Sequence, residues 1–264
     1  VAKTLEQWIE SEVAAVREKP LSWISQEYFF RDPSRPIYSN PGFFYSPADG
    51  IILYQVVVEP DEPIVEIKGT AYSLRDAMRD DSFDRPSLVI GIFMTFYDVH
   101  VNRVPYAGRL SYKELEPIDT YNYPMLAVEH DLLDELRVDP AQAGYLHNNQ
   151  RVLNRVYSTE LGQHYYILQI ADYDVDCITP FELKQNQPFA QNQRFSQIRY
   201  GSQVDLIIPL SGHLQFAPIH ETAMHVEAGV DVLVAVHPSL GTDPAGGSPP
   251  CTTPRKNRPE KPRP

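Results

Sequence analysis

The 264-residue sequence is poor in cysteine, with only Cys177 and Cys251. Two thiols so far apart exclude a disulfide framework and a cysteine-rich zinc site. No apolar run reaches the ~18 residues that a membrane-crossing helix needs. The N-terminus lacks a signal-peptide core, so the expected location is a reducing, cytoplasmic compartment. Basic charge is also scarce: 23 Lys and Arg face 35 Asp and Glu, a formal net charge of −12. A phosphate-backbone binder needs a basic face, so nucleic acid is excluded as a partner. Broad attraction to an anionic membrane is weak for the same reason. Glycine-rich phosphate loops and internal repeats are absent, and so is the Gly-x-Ser-x-Gly elbow of a serine hydrolase. His213, His220 and His225 stand close together. The i to i+5 spacing of His220 and His225 is not that of a helical zinc pair, and no metal is expected.

What is present points to strands. The chain is 42% hydrophobic, enough to bury a core, and it holds 24 Pro and 16 Tyr. Abundant proline and tyrosine favour strands and turns over a helical bundle. Residues 3–17 form the one strong amphipathic pattern, with Leu5, Trp8, Ile9, Val13 and Val16 on one stripe and acids off it. Strands are expected within 43–67, at 88–96 as a run buried on both faces, and at 122–129, 152–157, 164–171, 203–210 and 231–236. A short helix is expected at 72–79 and a helical turn at 131–136. The fold class is therefore β-rich α+β: a single domain of antiparallel sheets over 1–245 with an N-terminal helix. Residues 246–264 carry five cations against Glu260 and no aliphatic or aromatic side chain. They are expected to form a disordered, basic, proline-rich tail.

Several segments are unremarkable alone. SPADG (Ser46–Gly50) is a turn, IKGTAYSL (Ile67–Leu74) a strand leaving into a helix start, DVHVNRVP (Asp98–Pro105) a loop with one histidine, and YGSQVDLIIP (Tyr200–Pro209) a Gly-Ser step into a strand. Together with FFRDPSRPI (Phe29–Ile37) and NQRV (Asn149–Val152), their order resembles the phosphatidylserine decarboxylase family of pyruvoyl enzymes over residues 26 to 237. SPADG matches the family segment outright. FYDVHVNRVPYAGRL (Phe96–Leu110) resembles the family's DYHRVHxPxxGxL loop, IKGTAYSL its VKG-x-x-YSL, NQRV its NERV, and YGSQV its LGST cleavage site.

The resemblance implies a chain that cuts itself between Gly201 and Ser202. The Ser202 hydroxyl attacks the Gly201 carbonyl, and elimination from the resulting ester, followed by uptake of water and loss of ammonia, leaves a pyruvoyl group at residue 202. That group takes up a substrate amine and acts as an electron sink for loss of CO2. By the same resemblance, Asp49 is the charge partner of the base that activates Ser202. His100 is the acid–base group that returns a proton to carbon. Arg103, Tyr106 and Lys68 are the expected substrate-binding residues.

Departures from the family pattern bear on maturation. The second histidine of the family loop falls on Arg103, which stays protonated and cannot act as a base. Gln203 stands where Thr or Ser normally follows the cleavage serine, Ser196 where the family has Gly, and QIADYDVDCI (Gln169–Ile178) where it has a glycine-rich segment. Either His100, or another histidine such as His147, takes over the base role, or the chain stays uncut and binds a ligand in the same pocket. The acidic helix and body favour a soluble amino acid or related amine acid as substrate. Phosphatidylserine is the alternative, with the basic tail making peripheral membrane contact. Tyr106, Tyr121, Tyr123 and Phe189 are candidates for an aromatic pocket or for core and rim positions. The long apolar core strand is compatible with a homodimer.

Overall fold

The computed structural model describes residues 1–115, 118, 123–172, 178–199 and 202–239. Gly201, Tyr121, both cysteines and the 246–264 tail lie outside the described residues. Among the described residues, the centre is a nine-stranded sheet. In spatial order its strands are Lys3–Thr4, Met224–Val226, Gly50–Val58, Ser87–Met94, Ser202–Pro209, Gln163–Ala171, Arg151–Ser158, Gly108–Leu115 and Gln187–Phe189. Every pairing in it is antiparallel.

Both faces of the sheet are covered. Side chains alternate across a strand, so Leu88, Ile90, Ile92 and Met94 enter one core while Val89 and Phe93 enter the other. This is why Ser87–Met94 reads as a continuous apolar run: it is buried at every position. Against the Phe93 face pack Leu5, Trp8 and Val13 of the N-terminal helical segment, the hairpin Pro63–Ile67/Thr70–Ser73, and the helices Leu74–Met78, Leu126–Leu133 and Tyr145–Asn148. Against the Met94 face lie two three-stranded sheets. One is Ile178–Pro180, Arg194–Ile198 and Val101–Arg103; the other is Leu214–Pro218, Val232–Pro238 and Phe43–Tyr45.

The β-rich antiparallel class matches the expectation, and the strands expected at 152–157, 164–171, 203–210 and 231–236 form within a residue or two. Three local readings are corrected. The helix expected at 3–17 starts only at Leu5, because Lys3–Thr4 pairs as a strand with Met224 and His225. Thr4 then caps the helix, its side chain accepting from the Gln7 amide. Tyr72 remains in a strand, and the helix expected at 72–79 runs over Leu74–Met78 behind a Ser73–Asp76 capping box. The strand expected at 122–129 is instead the helix Leu126–Leu133, which absorbs the turn expected at 131–136. Met125 at its N-cap and Val128, Asp131 and Leu132 within it are buried, and their spacing is helical rather than alternating. Among the described residues no helix is long and apolar enough to cross a membrane.

Candidate active site

Ser202 is the first residue of its strand and is fully buried. It is clasped from both sides, paired with Met94 on one neighbour and Ala171 on the other. Among the described residues its hydroxyl makes one hydrogen bond, to Met94 Sδ at 3.3 Å. Among the described residues the polar groups hydrogen-bonded around Met94 and Asn102 are uncharged. Asn102 Nδ2 also approaches Met94 Sδ, at 3.7 Å. Gln169 Nε2 donates to Asn102 Oδ1 at 2.7 Å and to Ser196 Oγ at 3.0 Å. Ser196, the departure from the family glycine, therefore belongs to this polar shell.

His100 stands at the same end of the sheet. Its carbonyl accepts from the Ile198 amide at 3.0 Å, tying it to the approach to Ser202. The ring is completely buried and lies 4.1 Å, centroid to centroid, from Phe29. Nδ1 is 3.0 Å from the Asp98 carbonyl oxygen. A carbonyl can only accept, so Nδ1 carries the proton and Nε2 keeps its lone pair. Nε2 is buried and has no hydrogen-bond partner among the described residues. Burial lowers the His100 pKa to about 4, against the pull of Asp98. The ring is thus neutral at pH 7, with a free basic nitrogen.

Asp49 is not available to such a base. Arg35 donates to both of its carboxylate oxygens at 2.6 Å, and the Ala228 amide donates to Oδ1 at 2.7 Å. Arg103 lies next to this pair, its amide bonded to the Pro47 carbonyl in the turn that carries Asp49. Its guanidinium donates to the Asn192 carbonyl and stands 4.0 Å from Asp32. Burial and the nearby Arg35 lower its pKa. The structure therefore brings Asp49 and Arg103 together, as the motif order implies, but as one carboxylate between two cations. Gly229 makes the room: a Cβ there would come within 2.8 Å of Arg103 Cδ.

The other expected residues lie elsewhere. Tyr106 packs on Phe44, and its hydroxyl reaches the Pro41 carbonyl and Glu160. Lys68 sits exposed at the turn of the Pro63–Ile67/Thr70–Ser73 hairpin, with φ of 50°. His147 packs edge-on against Tyr72. Tyr123 pairs through its backbone with Asn149, and Phe189 is core. Gln203 faces away from Ser202, bonded to Tyr54, Asp205 and Tyr145.

One close pair was not singled out from the sequence. His225 Nε2 donates to Asp98 Oδ1 at 2.7 Å, and both side chains are buried. Asp98 Oδ2 also accepts from the amide and the hydroxyl of Thr95, each at 2.8 Å. A cavity of about 1030 Å3 opens on the outer side of the strand pair Val101–Arg103/Arg194–Ile198, lined in part by Phe30, Val101, Phe181, Phe189, Lys184 and Arg194. Phe30 lines this cavity while its neighbour Phe29 covers His100.

Comparison with known proteins shows the family. The phosphatidylserine decarboxylase family model matches residues 26–234. The phosphatidylserine decarboxylase proenzyme of Erythrobacter litoralis is 31% identical over 210 residues, covering 79% of this chain and 72% of that protein. The phosphatidylserine decarboxylase proenzyme of Paramagnetospirillum magneticum is 27% identical over 231 residues, covering 84% of this chain and 79% of its own length. By class this is a pyruvoyl-dependent carboxy-lyase, whose cofactor is a pyruvoyl group formed from a serine. The chain belongs to the phosphatidylserine decarboxylase family.

Proposed function

We propose that the chain matures at Ser202 and decarboxylates a serine-bearing phospholipid, with His100 as its proton-carrying group. The observation that carries this is the placement of a buried serine and a buried, neutral histidine at one end of the central sheet. Ser202 fits the family's cofactor. It is held in register on both sides, touches a soft thioether and has no ionised hydrogen-bond partner among the described residues. When formed, a pyruvoyl group supplies a carbonyl that withdraws electrons from the bond to the departing carboxylate.

The chain's own residues do the rest. In self-cleavage the Ser202 hydroxyl attacks the preceding carbonyl, and its proton goes to His100 Nε2. Arg103 cannot take that proton, and Asp49 is held by Arg35. His147, the other histidine considered for the base role, packs against Tyr72. In turnover, Phe29 keeps water from the imidazole, and Nε2 holds the proton that is returned to carbon.

The relatives' names favour a lipid substrate over a free amino acid. The acidic body argues only about long-range attraction to a membrane. It does not bear on one lipid molecule in a groove that combines aromatic side chains with Lys184, Glu182 and the Arg194–Asp32 ion pair. The test is intact-mass analysis followed by CO2 release. The expected result is two fragments, the second beginning at residue 202 as a ketone, with CO2 released from phosphatidylserine vesicles and not from free serine or aromatic amino acids. An uncut chain, or turnover of free amino acids alone, overturns the proposal.

A further inference from the structure

We infer that His225 is a positioning residue: through Asp98 it fixes the loop, and with it the ring orientation and tautomer, of His100. This rests on the proposed role of His100. It concerns a histidine whose side-chain hydrogen bond, among the described residues, goes to Asp98 and not to Ser202 or the Asp49–Arg35 pair.

The pairing register keeps His225 from acting on Ser202 directly. His225 pairs with Ile51, Ile51 with Phe93, and Phe93 with Gln203. The imidazole therefore lies in the Gln203 row, on the face opposite Ser202, three strand spacings or roughly 14 Å across the sheet. Its ring stacks on Trp8 at 4.7 Å, within the N-terminal helix layer. Among the described residues its side-chain hydrogen bond toward the site is to Asp98. The Asp98 carboxylate is bound by His225 and twice by Thr95, while its carbonyl meets His100 Nδ1. Thr95 directly follows Met94, the residue that touches Ser202 Oγ. Arg31 also holds the loop 95–100, donating to the Tyr97 and Asp98 carbonyls, and Glu129 accepts from the Phe96 amide. Asp98 is the residue whose side chain meets His225 and whose carbonyl dictates which nitrogen of His100 is free.

Cleavage before residue 202 gives this contact a second consequence. His225 would then lie on the same fragment as residue 202, whereas Trp8, Asp98 and His100 lie on the other. The His225–Asp98 bond ties the acid–base loop of one fragment to the fragment that carries the cofactor. A buried contact of this kind holds the two reacting parts in register after the backbone between them is cut.

The groups that face His225 are Asp98, Asp49, Glu12 and the Trp8 ring. Two variants separate its hydrogen bond from its packing. His225→Phe keeps a ring against Trp8 and removes the donor, whereas His225→Gln keeps a donor without the ring. Imidazole nitrogen NMR of the full chain reads the His100 tautomer whether or not the enzyme turns over, and Asp98→Asn supports the assignment if His225→Phe does not fold.

In the wild type, His100 should show a single neutral tautomer protonated at Nδ1. In His225→Phe that signature should be lost, with kcat down about tenfold, as for a misaligned rather than a missing acid–base group, and KM unchanged. His225→Gln should restore the tautomer and part of kcat. An unchanged His100 spectrum in His225→Phe overturns the inference, whatever happens to activity. A wild type that shows the expected tautomer and its loss in the variant, but releases no CO2 from phosphatidylserine, upholds the positioning and sinks the functional proposal instead.

Discussion

Arg35 closes on both carboxylate oxygens of Asp49 at 2.6 Å, and the pair is almost fully buried. With the Ala228 amide also on Oδ1, the carboxylate has little left to offer a third partner. The pair links the segment before SPADG to the turn near Gly229, so it closes the fold around the site as well as neutralising charge. Removing one partner strands the other in a poorly solvated place. Arg35→Ala, in an uncut Ser202→Ala background, should cost about 3–5 kcal/mol, read as a lowered urea midpoint. A loss no larger than that of an exposed ion pair would show that water reaches Asp49.

His100 offers the sharpest functional prediction. Its Nε2 is buried without a hydrogen-bond partner among the described residues, and a neutral asparagine in its place keeps polarity but takes up no proton. His100→Asn should slow both self-cleavage and CO2 release by roughly 10²–10⁴-fold at temperatures where the variant is folded. Intact mass over time reads the first effect, and CO2 release from pre-cleaved protein reads the second. Ser202→Ala should abolish both.

The contiguous parts of the site were legible in the sequence, because SPADG, the DVH loop and the Gly-Ser step each sit on one stretch of chain. The antiparallel class was legible too, through the β-branched runs at 51–58 and 88–94. What was hidden is pairing across distance. His225 and Asp98 are 127 positions apart, and nothing local to either marks the other as its partner. Arg35 belongs to an entry motif, but its grip on Asp49 is a tertiary event. The helix Leu126–Leu133 was misread because Tyr123, Met125, Leu126 and Val128 crowd one short stretch. Crowding conceals the period of three and four that the buried positions follow.

Asp205 makes stability depend on pH. It is fully buried, accepts from Tyr54 at 2.8 Å and from Gln203 at 2.6 Å, and burial raises its pKa from 3.8 to about 6. A carboxyl whose folded pKa is raised binds its proton more tightly in the native state. Its contribution is complete below pH 3.8 and is lost as pH rises through about 6. Asp205→Asn mimics the protonated form. Relative to wild type, the variant should therefore gain on the order of 2–3 kcal/mol between pH 4 and pH 8. Urea midpoints at the two pH values measure this, and parallel shifts in both proteins would remove Asp205 as the cause.

Gly50 ties the fold to the chemistry. It closes SPADG with φ of 150°, and a Cβ there would come 2.1 Å from the Phe93 carbonyl oxygen. Backbone cannot yield as a flexible side chain can, so Gly50→Ala must push the Phe93–Met94 segment aside. Met94 is the residue that touches Ser202 Oγ, and the push is delivered beside the cleavage serine. Gly91 is the matched control. Its Cβ would strike the Tyr54 ring at 2.4 Å, on the Asp205 side of the sheet, away from Ser202. Both alanines should cost at least about 2 kcal/mol. Gly50→Ala should also slow self-cleavage more than its stability loss explains, whereas Gly91→Ala should cleave at the wild-type rate at temperatures where it is folded. Equal slowing in both would mean that cleavage follows global stability and not the placement of Met94 against Ser202.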